Sequence, residues 1–140
     1  MNYLLDTNVV SELRKVGAGT ADPHVNSWSD GVSSKKTFLS VVTILELEQG
    51  TLLMERRDVR QGAMLRAWLE RQVIPDYAER ILPVDFEIAK RCAALHVPDP
   101  FSYRDSLIAA TALVHDMTVV TRNVSHFARA GVRILNPWEA

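Results

Sequence analysis

The stretch NYLLDTNVVSEL, residues 2–13, joins a short apolar run to an amphipathic one, with an aspartate at the junction. The apolar run predicts a strand over Asn2–Leu5, and the spacing of the apolar residues that follow predicts a helix over Thr7–Val16. Asp6 therefore falls where a strand ends and a helix begins. A carboxylate in that place either caps the helix or binds a metal ion, and this stretch alone leaves both possibilities open.

The same alternation of strand and helix continues along the chain. Further strands are predicted over Thr37–Val41, Ile81–Val84, Thr118–Thr121 and Val132–Leu135. Further helices are predicted over Pro23–Gly31, over Thr43–Tyr77 with a break near Arg57–Asp58, and over Asp85–Val97, Tyr103–Asp116 and Val124–Ala130. Strand-then-helix order predicts an α/β fold, with a parallel sheet of about four to five strands flanked by helices on both faces. The length of 140 residues predicts one domain, residues 1–140.

The composition narrows the class of protein. Cys92 is the one cysteine, which excludes an internal disulfide framework. No apolar run is long enough for a membrane span, and no signal peptide is recognisable, so we expect a cytoplasmic protein of a bacterium or archaeon. The formal net charge of −1 argues against a general electrostatic attraction to nucleic acid, but a local basic patch around an acidic site stays compatible with it.

Three carboxylates occupy similar places in the predicted fold. Asp6, Glu46 and Asp105 each lie at or near the N-terminus of a helix that follows a strand or loop. Helix capping accounts for any one of them, since Thr43 to Glu46 and Ser102 to Asp105 both fit the capping-box pattern. In parallel sheets, however, functional groups gather at the carboxyl ends of the strands. The topology therefore predicts that the three carboxylates converge there.

Two arguments favour a metal site over simple capping. On the predicted helix Asp105 shares its face with Ile108 and Ala112, so it points inward, and a partly buried carboxylate needs a partner. Converging anions also repel one another unless a cation lies between them. Mg²⁺ or Mn²⁺ suits carboxylate and water ligands. We expect Asp6 and Asp105 to bind the metal directly, and Glu46 to bind it through water or to orient the nucleophile.

Other polar residues lie close to these carboxylates in the predicted fold. Thr7, Asn8 and Thr121 are candidates for holding the metal-binding groups in place. Asn123 follows the strand that ends at Thr121 and is a candidate for orienting a water or a ligand. A turn or helix-capping role also explains Asn123.

Five stretches together carry a resemblance to a known family. They are LLDTN (4–8), SVVTILELEQG (40–50), DSLIAATA (105–112), TVVTRNVSHF (118–127) and VRILNPW (132–138). In order and separation they resemble PIN-domain proteins of the VapC-type toxin ribonuclease group. The last stretch is similar to the ending of the FitB-like subgroup. The resemblance spans nearly the whole chain.

The resemblance implies the toxin of a type II toxin–antitoxin module, a ribonuclease that cleaves RNA phosphodiester bonds with Mg²⁺ or Mn²⁺. The acidic positions of the family map onto Asp6, Glu46 and Asp105, and its fourth position, frequently aspartate, maps onto Asn123. The amide lowers the charge available to hold a second ion. Implied partners are a VapB- or FitA-like antitoxin that covers the active site, a second toxin copy in a homodimer, and DNA only through the antitoxin, with no membrane.

Arg104 and Arg122 each adjoin a site residue, so we expect them to contact RNA phosphates. Two alternatives stay open. Because Asn123 replaces a frequent aspartate, the chain could be catalytically attenuated and serve mainly as the antitoxin-bound subunit of a DNA-binding regulatory complex. An enzyme that forms an aspartyl-phosphate on Asp6 is the other alternative, but such enzymes want a second aspartate where this chain has Asn8.

Overall fold

Five parallel strands form one sheet in the computed structural model, which describes residues 1–140. They are β1 (Tyr3–Leu5), β2 (Thr37–Ser40), β3 (Ile81–Leu82), β4 (Thr118–Val120) and β5 (Ile134–Leu135). Their order across the sheet is β3-β2-β1-β4-β5. In the register, Leu4 of the central strand pairs with Phe38 on one side and Val119 on the other. The predicted α/β class with a parallel sheet is confirmed.

Eight helices connect and cover the strands. They are α1 (Thr7–Arg14), α2 (Pro23–Asp30), α3 (Val41–Arg57), α4 (Val59–Trp68), α5 (Ile74–Asp76), α6 (Phe86–Leu95), α7 (Tyr103–His115) and α8 (Val124–Ala128). A 3₁₀ turn, Ser34–Lys36, precedes β2, and a π-helical turn, Leu69–Val73, continues α4. The predicted break between α3 and α4 falls at Asp58, whose carboxylate caps α4. None of these helices has the length and apolar character that a membrane crossing requires.

Alternate residues of the strands face opposite sides of the sheet, and each side is covered. Leu4 and Val119 pack with apolar residues of α7 and α8, including Ile108 and Phe127. Leu5, Leu39 and Val120 pack on the other side with residues of α1, α3 and the π-helical turn. Adjacent residues of a strand point to opposite faces of the sheet. Both faces of this sheet are therefore apolar, and helices pack on both of them.

Helix α7 is the most deeply buried helix. Its residues from Ile108 to Ala112 are all buried, because the sheet lies on one side and α6 packs on the other. Ala109, Ala110 and Ala112 are small enough to permit both contacts. This packing fixes the start of α7, and with it Asp105, relative to the carboxyl ends of β1 and β4.

Candidate active site

The carboxyl ends of the central strands bring the predicted polar residues together. Asp6 comes directly after β1 and Thr121 directly after β4. Glu46 lies on the second turn of α3, the helix that follows β2, and Asp105 lies in the first turn of α7. One guanidinium group, that of Arg104, contacts all three carboxylates. The predicted convergence of Asp6, Glu46 and Asp105 therefore matches the geometry.

Asp6 is fully buried, and both of its carboxylate oxygens accept hydrogen bonds. Oδ1 accepts from the backbone N–H of Thr7 at 2.7 Å and from Nη2 of Arg104 at 2.5 Å. Oδ2 accepts from the hydroxyl of Thr121 at 2.7 Å and from Nδ2 of Asn8 at 3.4 Å. These bonds offset the cost of burying a carboxylate. Asp6 is also the N-cap of α1, so its capping role is confirmed.

Glu46 faces the same point from α3. Its Oε1 accepts from the hydroxyl of Thr7 at 2.6 Å, and its Oε2 accepts from Nε of Arg104 at 2.6 Å. The predicted capping box from Thr43 to Glu46 is wrong, because Ser40 caps α3 and the helix begins at Val41. Glu46 therefore lies beyond the first turn of the helix. Only the N–H groups at the start of a helix lack a partner within it, so the side chain of Glu46 has no free N–H group to cap.

Asp105 points inward at the start of α7, as its helix face predicted. Ser102 caps the helix by accepting the backbone N–H of Asp105 at 3.3 Å. The Oδ1 atom of the carboxylate accepts from Nη1 of Arg104 at 2.5 Å. Nδ1 of His126 lies 3.6 Å from Oδ2, at ion-pair rather than hydrogen-bond distance.

Arg104 stands at the centre of the acidic cluster. Burial alone would lower the pKa of Arg104, but the hydrogen bonds to Glu46 and Asp6 and the charges of both carboxylates raise it above its usual value. The guanidinium is therefore permanently charged. One positive charge faces three carboxylates, so the cluster as a whole keeps a negative charge.

The chemistry of the donor atoms fits Mg²⁺ or Mn²⁺, since the atoms aimed at the centre are carboxylate oxygens. Their present spacing fits a guanidinium. No three side chains of His, Cys, Asp or Glu are placed to hold one metal ion.

The remaining predicted residues have distinct surroundings. Asn123 is exposed at the start of α8, its side chain makes no capping bond, and its backbone N–H donates to Oγ1 of Thr121 at 3.0 Å. Arg122 lies outside the acidic cluster, and its guanidinium carbon is 5.1 Å from the centre of the Trp138 ring. Arg122 therefore presents its charge to solvent beside the site.

A surface cavity of about 230 Å³ adjoins Asp105. The polar side chains of Ser102, Ser125, His126 and Arg129 line it with that carboxylate. The sequence pattern gave no direct indication of this cavity. The relevant signal was the position of α8, which begins directly after Asn123 at the same edge of the sheet and so delivers Ser125 and His126 there.

Comparison with known proteins places this geometry in a wider group. The family model described as PIN domain matches residues 3–132. VapC ribonuclease Y4jK of Sinorhizobium fredii is 38% identical over 97% of this chain and 97% of its own length. Toxin FitB of Neisseria gonorrhoeae is 34% identical over 96% of this chain and 97% of its own length.

Solved structures show the same likeness. The crystal structure of FitAcB from Neisseria gonorrhoeae superposes with a TM-score of 0.88 at 33% identity, covering 99% of both chains. The structure of FitAB bound to the IR36 DNA fragment superposes with a TM-score of 0.86 at 33% identity, covering 97% of this chain and 95% of that one. The likeness therefore extends over the whole sheet and its helices.

Proposed function

Because the chain belongs to the PIN-domain family, in the group of VapC ribonucleases and toxin FitB, we propose that it is the ribonuclease toxin of a type II toxin–antitoxin module. It cleaves RNA phosphodiester bonds with Mg²⁺ or Mn²⁺, as one PIN domain over residues 1–140, in the cytoplasm of a bacterium or archaeon. The observation that carries this proposal is the convergence of Asp6, Glu46 and Asp105 on the single guanidinium group of Arg104.

Asp6 and Asp105 are the direct metal ligands in this proposal, and Glu46 acts through water. A bound Mg²⁺ or Mn²⁺ supplies an acidified water and stabilises the charge that develops at phosphorus. Thr7 fixes Oε1 of Glu46 at 2.6 Å, so the carboxylate is held in one orientation toward the attacking water. Hydrolysis assisted in this way would leave a 5′-phosphate and a 3′-hydroxyl.

Thr121 and Asn8 act on the substrate only through Asp6. Both donate to its Oδ2, which leaves Oδ1 facing the centre of the site. Asn123 occupies the fourth position of the family without a charge, and its exposed amide is available to orient a water or a ligand. Three carboxylates without a fourth lower the charge available to hold a second ion.

RNA reaches the carboxylates past two exposed arginines. Arg122 carries its guanidinium over Trp138, free of any carboxylate, and is suited to a phosphate. Arg129 lies on the cavity beside Asp105. Positive side chains around an acidic centre attract the phosphate backbone, and a bound cation would offset the repulsion between the phosphates and the carboxylates.

Partners follow from the relatives. We propose a VapB- or FitA-like antitoxin that covers the active site, a homodimer of the toxin, and contact with DNA only through the antitoxin. Toxin FitB supports the toxin assignment, and the solved FitAB structure contains a DNA fragment. The net charge of −1 on this chain also fits contact with DNA through another protein.

Replacing Asp6 with asparagine tests this function. Asp6→Asn keeps the shape of the side chain but removes its charge, so cleavage of RNA in Mn²⁺ should fall by about 10³-fold or more, because metal binding and charge stabilisation are both lost. Cleavage is measured on purified antitoxin-free protein, and the chemistry of the new ends is determined.

The matched control is Asp116→Asn, at an exposed carboxylate whose ion pair with Arg133 lies on the surface. Asparagine also tolerates the positive φ of 55° at that position. This control should cleave like wild type, and EDTA should stop all cleavage. Cleavage that survives EDTA or the Asp6→Asn change contradicts the proposal, and a wild type that cleaves no RNA in either metal favours the attenuated regulatory subunit.

A further inference from the structure

We propose that Arg104 competes with the divalent metal ion for Asp6, Glu46 and Asp105, and thereby sets the metal affinity of the site. This inference rests on the proposed function and deepens it. It assigns Arg104 a role other than the phosphate contact expected from its place in the sequence.

The same carboxylate oxygens have to serve Arg104 and the metal. Three different nitrogens of Arg104 bind Oδ1 of Asp6, Oε2 of Glu46 and Oδ1 of Asp105, at 2.5, 2.6 and 2.5 Å. The other oxygens of the first two carboxylates are already engaged by hydroxyls, of Thr121 and Thr7. An ion at the centre therefore binds oxygens that Arg104 now holds.

The side chain of Arg104 can leave without disturbing the fold. Arg104 is the second residue of α7, and Ser102 caps this helix through the N–H of Asp105. Outside the carboxylates its guanidinium has one further contact, the hydroxyl of Thr7 at 3.4 Å. The side chain is 30% exposed, so rotation about its own bonds leads outward to solvent. The helix and its carboxylate stay in place.

Competition has a calculable effect on affinity. A cation in the centre repels a second one at short range, so the metal binds only the fraction of molecules in which Arg104 has withdrawn. If that fraction is about one-tenth, the apparent metal affinity is about ten-fold weaker than the intrinsic one. Arg104 also offsets the repulsion among the three carboxylates, so its removal should have opposite effects on stability in the absence and presence of metal.

The first experiment is a Mn²⁺ titration followed by the electron paramagnetic resonance of the free ion. Arg104→Gln should bind Mn²⁺ about ten-fold more tightly than wild type. Arg129→Gln is the matched control, since it removes an equal charge beside Asp105. The guanidinium of Arg129 donates hydrogen bonds only to the backbone carbonyls of Pro100 and Asp99, and it lies over the Phe101 ring. Its affinity should stay within about two-fold of wild type. Equal or weaker binding by Arg104→Gln overturns the proposal.

Thermal unfolding gives a readout independent of activity. Arg104→Gln should melt below wild type in EDTA, because the carboxylates lose their cation, and the deficit should vanish or reverse in Mn²⁺. A deficit of the same size in both conditions would mean that Arg104 is merely structural, and the inference would be wrong. If Arg104→Gln does not fold in EDTA, this variant is purified in Mn²⁺. Arg104→Lys, a weaker competitor for the carboxylates, then gives the same comparison of melting temperatures in EDTA and in Mn²⁺.

A third experiment uses the unmodified protein. The Nε–H group of Arg104 donates to Glu46, so its proton resonance should be protected from exchange and absent from the spectrum of Arg104→Lys. Saturating Mg²⁺ should shift that resonance or remove it. Mg²⁺ binding that leaves the resonance unchanged contradicts competition.

The outcomes separate this inference from the proposed function. If Arg104→Gln binds Mn²⁺ more tightly and no version cleaves RNA, competition holds and the ribonuclease assignment fails. If RNA is cleaved and the Mn²⁺ affinity does not depend on Arg104, the ribonuclease assignment holds and competition fails.

Discussion

Thr121 holds the most buried carboxylate of the site with a single hydroxyl. Its Oγ1 donates to Oδ2 of Asp6 at 2.7 Å and accepts the backbone N–H of Asn123 at 3.0 Å. The only other donor to that oxygen is Asn8, at 3.4 Å. One threonine at the end of β4 therefore ties the first strand's carboxylate to the loop that carries the fourth position of the family.

Thr121→Val tests this tie. Valine keeps the shape but removes the donor, so Asp6 loses its best bond at Oδ2, and the free energy of unfolding should fall by about 1–3 kcal/mol. Cleavage should fall as well, because the carboxylate is free to turn. Urea unfolding and cleavage rates at saturating Mn²⁺ measure the two effects.

Thr111→Val is the control. Thr111 is as buried as Thr121, but its hydroxyl donates to a helix carbonyl, that of Leu107, far from the carboxylates. The Thr111→Val variant should lose some stability and should cleave RNA at the wild-type rate. If Thr121→Val loses stability and cleaves like wild type, Thr121 does not position Asp6 for catalysis.

At the scale of the elements, helices α3 and α4 meet at a very close contact. A Cβ atom at Gly62 would lie 2.5 Å from Cα of Glu55, closer than real contacts allow. Arg66 fastens the same pair by donating to Glu48 and Glu55, and the hydrogen bond from Arg66 holds the pKa of Glu48 below its usual value. The crossing of these helices therefore requires glycine at one point.

Gly62→Ala should destabilise the protein by about 1–3 kcal/mol, because the methyl group meets backbone that cannot move aside easily. Gly50→Ala is the matched control in α3, where the added Cβ would meet nothing within 4 Å. That change should be neutral or stabilise by up to about 1 kcal/mol through helix propensity. Urea unfolding of both variants checks this pair, and equal effects would refute the close contact.

Element types were predictable from apolar spacing, and capping was predictable only in part. Asp6 and Ser102 cap the helices that follow them, as their patterns predicted. Thr43 does not, because Ser40 at the end of β2 starts α3 earlier. The site of Arg104 was beyond prediction, since sequence position alone put it at the surface beside Asp105. The guanidinium binds the carboxylates rather than water because all three converge on it, and this convergence is visible only in three dimensions.

At the scale of the whole molecule, α3 leaves an apolar stripe uncovered. Leu52 and Leu53 follow Leu45 by seven and eight residues along this helix. The three side chains, in chain order, are 62%, 52% and 62% exposed. Residues at that spacing share one helix face. An exposed apolar face on a folded chain indicates an interface. We expect it to form the interface of the proposed homodimer, with the antitoxin groove as the other candidate.

Leu53→Glu should therefore shift the antitoxin-free protein from dimer to monomer, because a charge in an apolar interface carries a desolvation cost. Sedimentation velocity over a range of concentrations measures the shift. Lys90→Gln on α6 changes the net charge by the same amount at another exposed position and should leave the dimer intact. A Leu53→Glu protein that remains dimeric would show that the stripe lies outside the dimer interface.

The sheet order has a consequence for a chain that is still being synthesised. Asp6 and Glu46 are made early, but their centre is completed by Asp105, and Asp6 receives its Oδ2 bond from Thr121. The central strand β1 also gains its second neighbour only when β4 has been made. In the proposed function, a nascent chain therefore lacks part of the site until translation has passed residue 121, so the ribosome that makes it meets no complete nuclease site before then.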